Sequence, residues 1–492
     1  MKIFANCFRN RQCILYAAVI IAGILLRLFR IEVKSLWVDE AYVAGLMDQG
    51  PLELIRMSVA GSPHPPLAFL FFRFSTALLG QGELGLRIIP ALASALAAVP
   101  LMNFVKRRTG IVPAFWAGMV WALAPFSVSM GQEAWLYGIV AFLGYLLTDT
   151  ADRAWREGGA ALYVTVALAL AGMLVQHLFA FFAAAVFFLY FTVPRSDRIP
   201  FKTFITASAV FLLLYSPFAL LLLKQAGFRS ERIARAGMDM AAVYRIRFLM
   251  RMPTVFIRLI PGGVLLDLAR AFAEGGKQIA FWLVFGLVNI LLMANLFISR
   301  IFRKPFKIWL ILVFVVPFLF FLKEDPTVRH MTILWVPFGF AIAAAAVKWK
   351  FAGPLLCLLV AVMLLPYYNI VSYPYHRSDW RGAVKLVEDS ISSGQGILVI
   401  GGNAGGPAWD YYASEDLPRT ILGGEDPYSE KVLPGRGLES VLDSLLEEHE
   451  SLWLVHDFWN VERTSCITDY CEILWRTWIS PHMEVIHLSR RN

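Results

Sequence analysis

The sequence predicts a mainly α, polytopic membrane helix bundle that ends in a small α/β domain outside the cytoplasm. Three observations carry this. Of 492 residues, 58% are apolar or aromatic and 16% are charged, and mean hydropathy is +0.61. That balance excludes a soluble globular enzyme, a disordered chain and a disulfide scaffold. Charge-free runs recur at about the 20-residue length that crosses a bilayer. Finally, the formal charge of +9 conceals a split: residues 1–371 carry 35 Lys/Arg against 17 Asp/Glu, whereas residues 372–492 carry ten against nineteen. The basic part reads as membrane-embedded and the acidic part as water-exposed. Basic residues beside membrane helices are expected on the cytoplasmic side and do not imply a nucleic-acid partner.

Apolar runs place eleven spans near 14–31, 86–105, 112–130, 134–150, 160–176, 177–193, 203–223, 279–299, 308–322, 331–347 and 353–371. No small-residue cleavage site follows the first, so it is read as a retained helix and not as a signal peptide. The run 64–80 (HPPLAFLFFRFSTALLG) is short, opens on paired prolines and holds Arg73 near its centre. Read as an interfacial helix, it leaves seventeen Lys/Arg on one side of the membrane, in the segments 1–13, 105–111, 151–159, 194–202, 300–307 and 348–352. The positive-inside rule then sets the N-terminus in the cytoplasm and the C-terminal domain outside; from the size and style of the chain, the membrane is expected to be a prokaryotic cell (inner) membrane. Domain boundaries follow at 1–371 and 372–492. The external loop 224–278 carries ten Lys/Arg and four Asp/Glu. Either long loops translocate whatever their charge, or this one faces anionic headgroups or a phosphate-bearing substrate.

No Asp, Glu, Lys or Arg lies mid-span, and no inverted repeat is visible. Ion-coupled transporters need such groups, so chemistry is expected at the outer face. Cys7, Cys13 and Cys357 lie in or beside apolar runs and read as inert. Cys466 and Cys471 suit a short disulfide outside the cytosol; no second Cys/His pair makes them a zinc site.

The first external loop, 32–85, contains LWVDEAY at 36–42 and HPPL at 64–67. Asp39 and Glu40 have two readings. A partly desolvated carboxylate is a competent general base; acidic residues also favour a helix N-terminus. Trp37 and Tyr42 fit an interfacial aromatic belt equally well, and the prolines after His64 suit a first helical turn. The next outward turn, GQEAWLY at 131–137, brings Glu133 to the same face, either as a second working carboxylate or as a solvated turn residue. A divalent cation held by Asp39, Glu133 or His177 stays open.

Taken in order, LWVDEAY, HPPL, Leu86-Arg87, the GQEAWLYGI turn, His177 at the start of a later span and Arg329-His330 before another resemble polytopic GT-C glycosyltransferases. The nearest in kind are the protein O-mannosyltransferase-like enzymes, which include the aminoarabinose and galacturonic acid transferases of lipopolysaccharide. The resemblance implies a GT-C bundle and a polyprenyl-phosphate sugar donor. The acceptor would be a lipid, glycan or protein. It makes Asp39 the base, Glu40 the catalytic partner that orients or buffers it, Glu133 the second-loop catalytic acid and Arg87 the cation facing the donor phosphate, with His64, Tyr137, His177, Arg329 and His330 at the substrate. Such enzymes commonly carry an arginine two residues before the second-loop tyrosine; here that residue is Trp135. A lipid-carrier flippase and a non-catalytic envelope assembly protein are the rival readings.

In the tail, 383–392 reads as a helix, 396–400 as a buried strand, 437–449 as a helix and 451–456 as a strand, an α/β alternation. GGNAGG at 401–406 lacks the Lys-Ser/Thr of a phosphate loop and reads as a flexible turn. Trp409, Tyr411 and Tyr412 either stack on sugars or pack the core; packing is the commoner outcome.

Overall fold

The computed structural model describes residues 11–60, 64–235, 277–320, 332, 335–371, 378–401, 405–414, 417, 419–422, 436–457, 471–480 and 483–491. The chain divides into two compact units. One comprises Met1–Phe29, Gly50–Ser75 and Arg87–Tyr367; the other comprises Arg30–Gln49, Thr76–Leu86 and Tyr368–Asn492.

The helices, in chain order, are α1 (Arg11–Leu28), α2 (Val38–Gly45), α3 (Pro51–Ala60), α4 (Pro66–Leu79), α5 (Glu83–Leu96), α6 (Ala98–Thr109), α7 (Ile111–Leu123) and α8 (Pro125–Gly131). They continue with α9 (Tyr137–Glu157), α10 (Ala160–Val175), α11 (Phe179–Phe187), α12 (Phe201–Arg235), α13 (Lys277–Ile298), α14 (Lys304–Phe320), α15 (Trp335–Lys348) and α16 (Ala352–Pro366). Among the described residues, each apolar run read from the sequence contains helix, because hydrocarbon leaves the backbone no partner but itself. Among the described residues, Arg11–Leu28, Glu83–Thr109, Phe201–Ala219 and Ala352–Asn369 are long and apolar enough to cross a membrane, and the α7–α8 pair makes a fifth if counted as one span. That pair bends by 59°. Pro125 opens α8 and holds Ala124 extended, at φ −62° and ψ 125°, because a residue before proline is driven out of the helical region. The 64–80 run forms the 14-residue α4, started by its prolines.

In this unit α7 is central, packed on α1, α6, α15 and α16, while α9 packs on α6, α10 and α11. The Lys106-Arg107-Arg108 cluster lies in the last turn of α6 rather than in a loop. Arg107 pairs with Asp149 at 2.6 Å and with Asp152 at 2.8 Å, and Arg108 also pairs with Asp152. Arg153 and Arg156 complete the network from α9 itself. The two aspartates are buried. Removing a buried charge's partner costs several kcal/mol, so this lattice fixes the α6–α9 register. The Arg108 guanidinium also lies 4.2 Å from the Phe104 ring centroid and 4.4 Å from that of Phe306.

The second unit is a three-layer α/β domain. Its helices are α17 (Trp380–Ser390), α18 (Gly405–Tyr412) and α19 (Arg436–Glu448), and its strands are β1 (Gln395–Ile400), β2 (Thr420–Leu422), β3 (Ser451–Asp457), β4 (Cys471–Ser480) and β5 (Met483–Arg490). The sheet order is β2-β1-β3-β5-β4. β1 runs parallel to β2 and β3, and β5 runs antiparallel to β3 and β4. The expected helices and strands at 383–392, 396–400, 437–449 and 451–456 all appear. Strands β2, β4 and β5 and helix α18 are additions. In β1, Ile397 and Val399 face one core while Leu398 and Ile400 face the other. A strand buried on both sides reads as an unbroken apolar run. Trp380, Trp409, Trp453 and Val485 fill the first core with α17 and α18; Leu442, Leu454 and Leu488 fill the second under α19. Trp409 is therefore a packing residue. Residues 402–404 of GGNAGG lie outside the described residues, and Gly405 opens α18. Cys7 and Cys466 also lie outside them.

Candidate functional site

In the bundle, sequence-singled residues gather on the turn joining α8 to α9. Glu133, Trp135 and Tyr137 are all buried there. The turn closes on itself where the Trp135 amide donates to the Glu133 carbonyl at 2.7 Å. Its anchor is Gln132, which sequence reading passed over. The Gln132 side-chain amide donates to the carbonyls of Arg27 (3.1 Å), Phe29 (2.8 Å) and, at longer range, Leu26 (3.3 Å). Those carbonyls lie at the C-terminal end of α1 and in the residue just beyond it. The Gln132 carbonyl oxygen accepts from the Tyr367 hydroxyl at 2.7 Å. One side chain thus ties the acidic turn to two distant stretches of chain.

Arg27, in the last turn of α1, is a second anchor. It is fully buried and donates to Ser94 Oγ (2.9 Å), Ser127 Oγ (3.1 Å) and the carbonyls of Gly23 (3.0 Å) and Ala122 (3.1 Å). It holds α1 against α5, α7 and α8. Gly131 lets this happen, since a Cβ there would lie 3.0 Å from Arg27 Cδ.

His64 precedes α4, and its ring meets Trp135 edge-to-face, with centroids 4.9 Å apart and planes at 87°. Burial first, and then the nearby His177, hold the His64 imidazole down to about 4, well below the usual histidine range. His64 is therefore a neutral imidazole at working pH. His177 lies in the turn between α10 and α11, and its Nδ1 is buried without a hydrogen bond among the described residues. Arg87 is fully buried on α5, one turn before Pro90. At Gly138, just after Tyr137, a Cβ would sit 2.5 Å from the Pro90 carbonyl oxygen. The start of α9 therefore lies directly on the α5 turn that follows Arg87. The structure brings His64, Trp135 and His177 together, and Tyr137 next to Arg87's helix. Arg329 and His330 lie outside the described residues, as does most of the basic loop.

In the α/β unit, Asp39 and Glu40 occupy the first turn of α2. They differ in surroundings. Glu40 is buried and its carboxylate accepts from the Trp37 amide at 3.2 Å, capping the helix. Asp39 is half-buried. Among the described residues, no three His, Cys, Asp or Glu side chains group as a metal site.

Residues 63–220 match the dolichyl-phosphate-mannose-protein mannosyltransferase family, a stretch that holds His64, Arg87, Glu133, Tyr137 and His177. No curated protein matches the chain. Among solved structures, ArnT from Cupriavidus metallidurans in the apo state superposes at a TM-score of 0.58 and 12% identity, covering 96% of this chain and 97% of that one. The fold is GT-C. The same transferase bound to undecaprenyl phosphate gives a TM-score of 0.55 at 13% identity, with 96% and 97% covered. The apo oligosaccharyltransferase of Archaeoglobus fulgidus, also GT-C, gives 0.54 at 14% identity, covering 91% of this chain and 70% of its own. At this identity the likeness is one of fold. It extends through the bundle and the α/β domain.

Proposed function

We propose that this GT-C protein is a multi-pass membrane glycosyltransferase that moves a sugar from a polyprenyl-phosphate carrier to a lipid, glycan or protein hydroxyl. The observation that carries the reading is the GT-C likeness over 96% of the chain, joined to the mannosyltransferase-family match across 63–220. That a structure of similar fold is described as bound to undecaprenyl phosphate supports a carrier of that class. The reaction is assigned to the external membrane face, with the N-terminus in the cytoplasm.

In the proposed chemistry, Asp39 takes the proton of the acceptor hydroxyl. The freed oxygen attacks the anomeric carbon, whose bond to the phosphate oxygen breaks, and the electron pair leaves with the carrier phosphate. A single displacement inverts the anomeric centre. The departing phosphate needs cations more than a proton donor, and Arg87 is assigned that role, since guanidinium makes forked, charge-assisted bonds to phosphate. Neutral His64 can donate one hydrogen bond without adding charge. Glu133 and Tyr137 are assigned to orient the reactants, with His177, Arg329 and His330 at the substrate; loss of product on thorough chelation would add a divalent cation.

The test is mass spectrometry of cell-envelope glycolipids and glycoproteins with and without the gene, repeated for Asp39→Asn. That nearly isosteric change removes the base. Expected is a gene-dependent product that disappears in Asp39→Asn while the protein level holds. Full product in the variant refutes Asp39 as base, and no gene-dependent product refutes the transferase reading.

A further inference from the structure

The segment that carries Asp39 is built into the core of the α/β domain. Ala41 on α2 is fully buried in the cluster that holds Trp380, Trp409 and Val485. Around that contact runs a closed set of hydrogen bonds. The Tyr412 hydroxyl, at the end of α18, accepts from the Leu36 amide at 2.8 Å and donates to Glu83 Oε1 at 2.9 Å. The Arg381 guanidinium, on the first turn of α17, pairs with the Glu83 carboxylate and donates to the Glu32 carbonyl at 3.0 Å. The Arg381 amide donates to Ser35 Oγ at 3.2 Å. At the far end of the segment, Gln81 donates to Asp48 at 2.7 Å, and the Gln81 carbonyl accepts from the Tyr411 hydroxyl at 2.9 Å. At its near end, Arg30 takes a left-handed φ of 59° and donates to the Tyr368 carbonyl at 2.8 Å.

We infer that Arg381, Tyr412 and Glu83 are positioning residues, and that the α/β domain holds the Asp39 helix in register for transfer. This rests on the proposed function for its purpose, and on the hydrogen-bond set for its mechanics. Two features suit the set to the task. Arg381 occupies a position where its backbone and its side chain both reach the same segment, so α17 cannot shift without moving residues 32–35. Burial, and then Glu83, push the Tyr412 hydroxyl up to about 12, so it stays protonated and keeps donating to Glu83. α2 has only eight residues, and a helix that short is marginal without tertiary support. The base of the reaction would then sit on an element whose order is borrowed from residues about 340 positions later in the chain.

The test uses the full chain in lipid nanodiscs and measures amide exchange of residues 38–45 in Arg381→Gln, Tyr412→Phe and the exposed control Lys385→Ala. Tyr412→Phe keeps the ring in the core and removes both hydroxyl bonds, so the domain stays folded. Expected is exchange at 38–45 at least tenfold faster in Arg381→Gln and at least threefold faster in Tyr412→Phe, with β1 and β3 as protected as in the parent. The gene-dependent envelope product falls at least fivefold in Arg381→Gln and is partly restored in Arg381→Lys, which keeps the charge on Glu83. Unchanged exchange at 38–45 in Arg381→Gln overturns the inference, and so does faster exchange with product at the parental level. If the parent itself makes no product, the transferase reading falls while the exchange result still decides whether the domain holds α2.

Discussion

Replacing Gln132 should loosen the acidic turn. The side chain is fully buried and spends both amide protons on carbonyls at the end of α1, while its oxygen accepts from Tyr367. Three hydrogen bonds at roughly 1 kcal/mol each come to about 3 kcal/mol. Gln132→Met preserves length and apolar volume but offers neither donor nor acceptor of comparable strength. Tyr367→Phe removes one bond and should cost about 1 kcal/mol. The double variant should fall short of the sum by about 1 kcal/mol, because the shared bond can be lost only once. Gln132→Glu should be worse than Gln132→Met at pH 8 and recover toward pH 5, since a carboxylate would face carbonyl oxygens until it takes up a proton. Equilibrium unfolding in mixed micelles reads all four values. A loss of less than about 1 kcal/mol in Gln132→Met, or additivity in the double variant, would refute the anchoring argument.

Gly138→Ala should destabilise by about 1–3 kcal/mol, because its Cβ meets the Pro90 carbonyl oxygen at 2.5 Å; Gly45→Ala, with open space around it, should be neutral or slightly stabilising in the same unfolding assay. Asp152→Asn should cost about 3 kcal/mol, as it removes the charge from a buried carboxylate that pairs with both Arg107 and Arg108, and thermal unfolding should show it. His64 is held near 4 when folded and returns to about 6.5 when unfolded. Its contribution is therefore fully present above about pH 6.5 and fades as pH falls toward 4, where the unfolded chain takes up a proton that the native site refuses. His64→Gln should flatten that part of the stability–pH curve, as measured by unfolding at fixed temperature.

Among the described residues each apolar run contains helix, because helix is the structure in which hydrocarbon-facing backbone satisfies itself, although the run 112–130 divides into α7 and α8 at Pro125. The order of LWVDEAY, HPPL and GQEAWLYGI pointed to GT-C for a related reason: each motif is local, a carboxylate pair, a proline-started helix and a turn, and each survives as a string. β1 and β3 were legible as strands because burial on both faces leaves an unbroken apolar signature. The edge strand β4 was not, since its Leu474, Trp475 and Trp478 are exposed and give no inside–outside pattern. Helix α18 was hidden behind a glycine run.

What no string of neighbours could disclose is which polar side chains carry the architecture. Nothing in the local sequence marks Arg27 or Gln132 as an anchor, because their partners include carbonyls and hydroxyls up to 235 residues away. The division of the chain into units is of the same kind. Charge and hydropathy draw a line near residue 371, yet residues 30–49 share a compact unit with residues 368–492. Hydrogen bonds spanning 346 and 376 residues hold them there. Composition records what each segment needs from its solvent; which segment fills the gap beside Trp380 and Trp409 depends on shape and donor geometry after folding, and Ala41 is small enough to enter it.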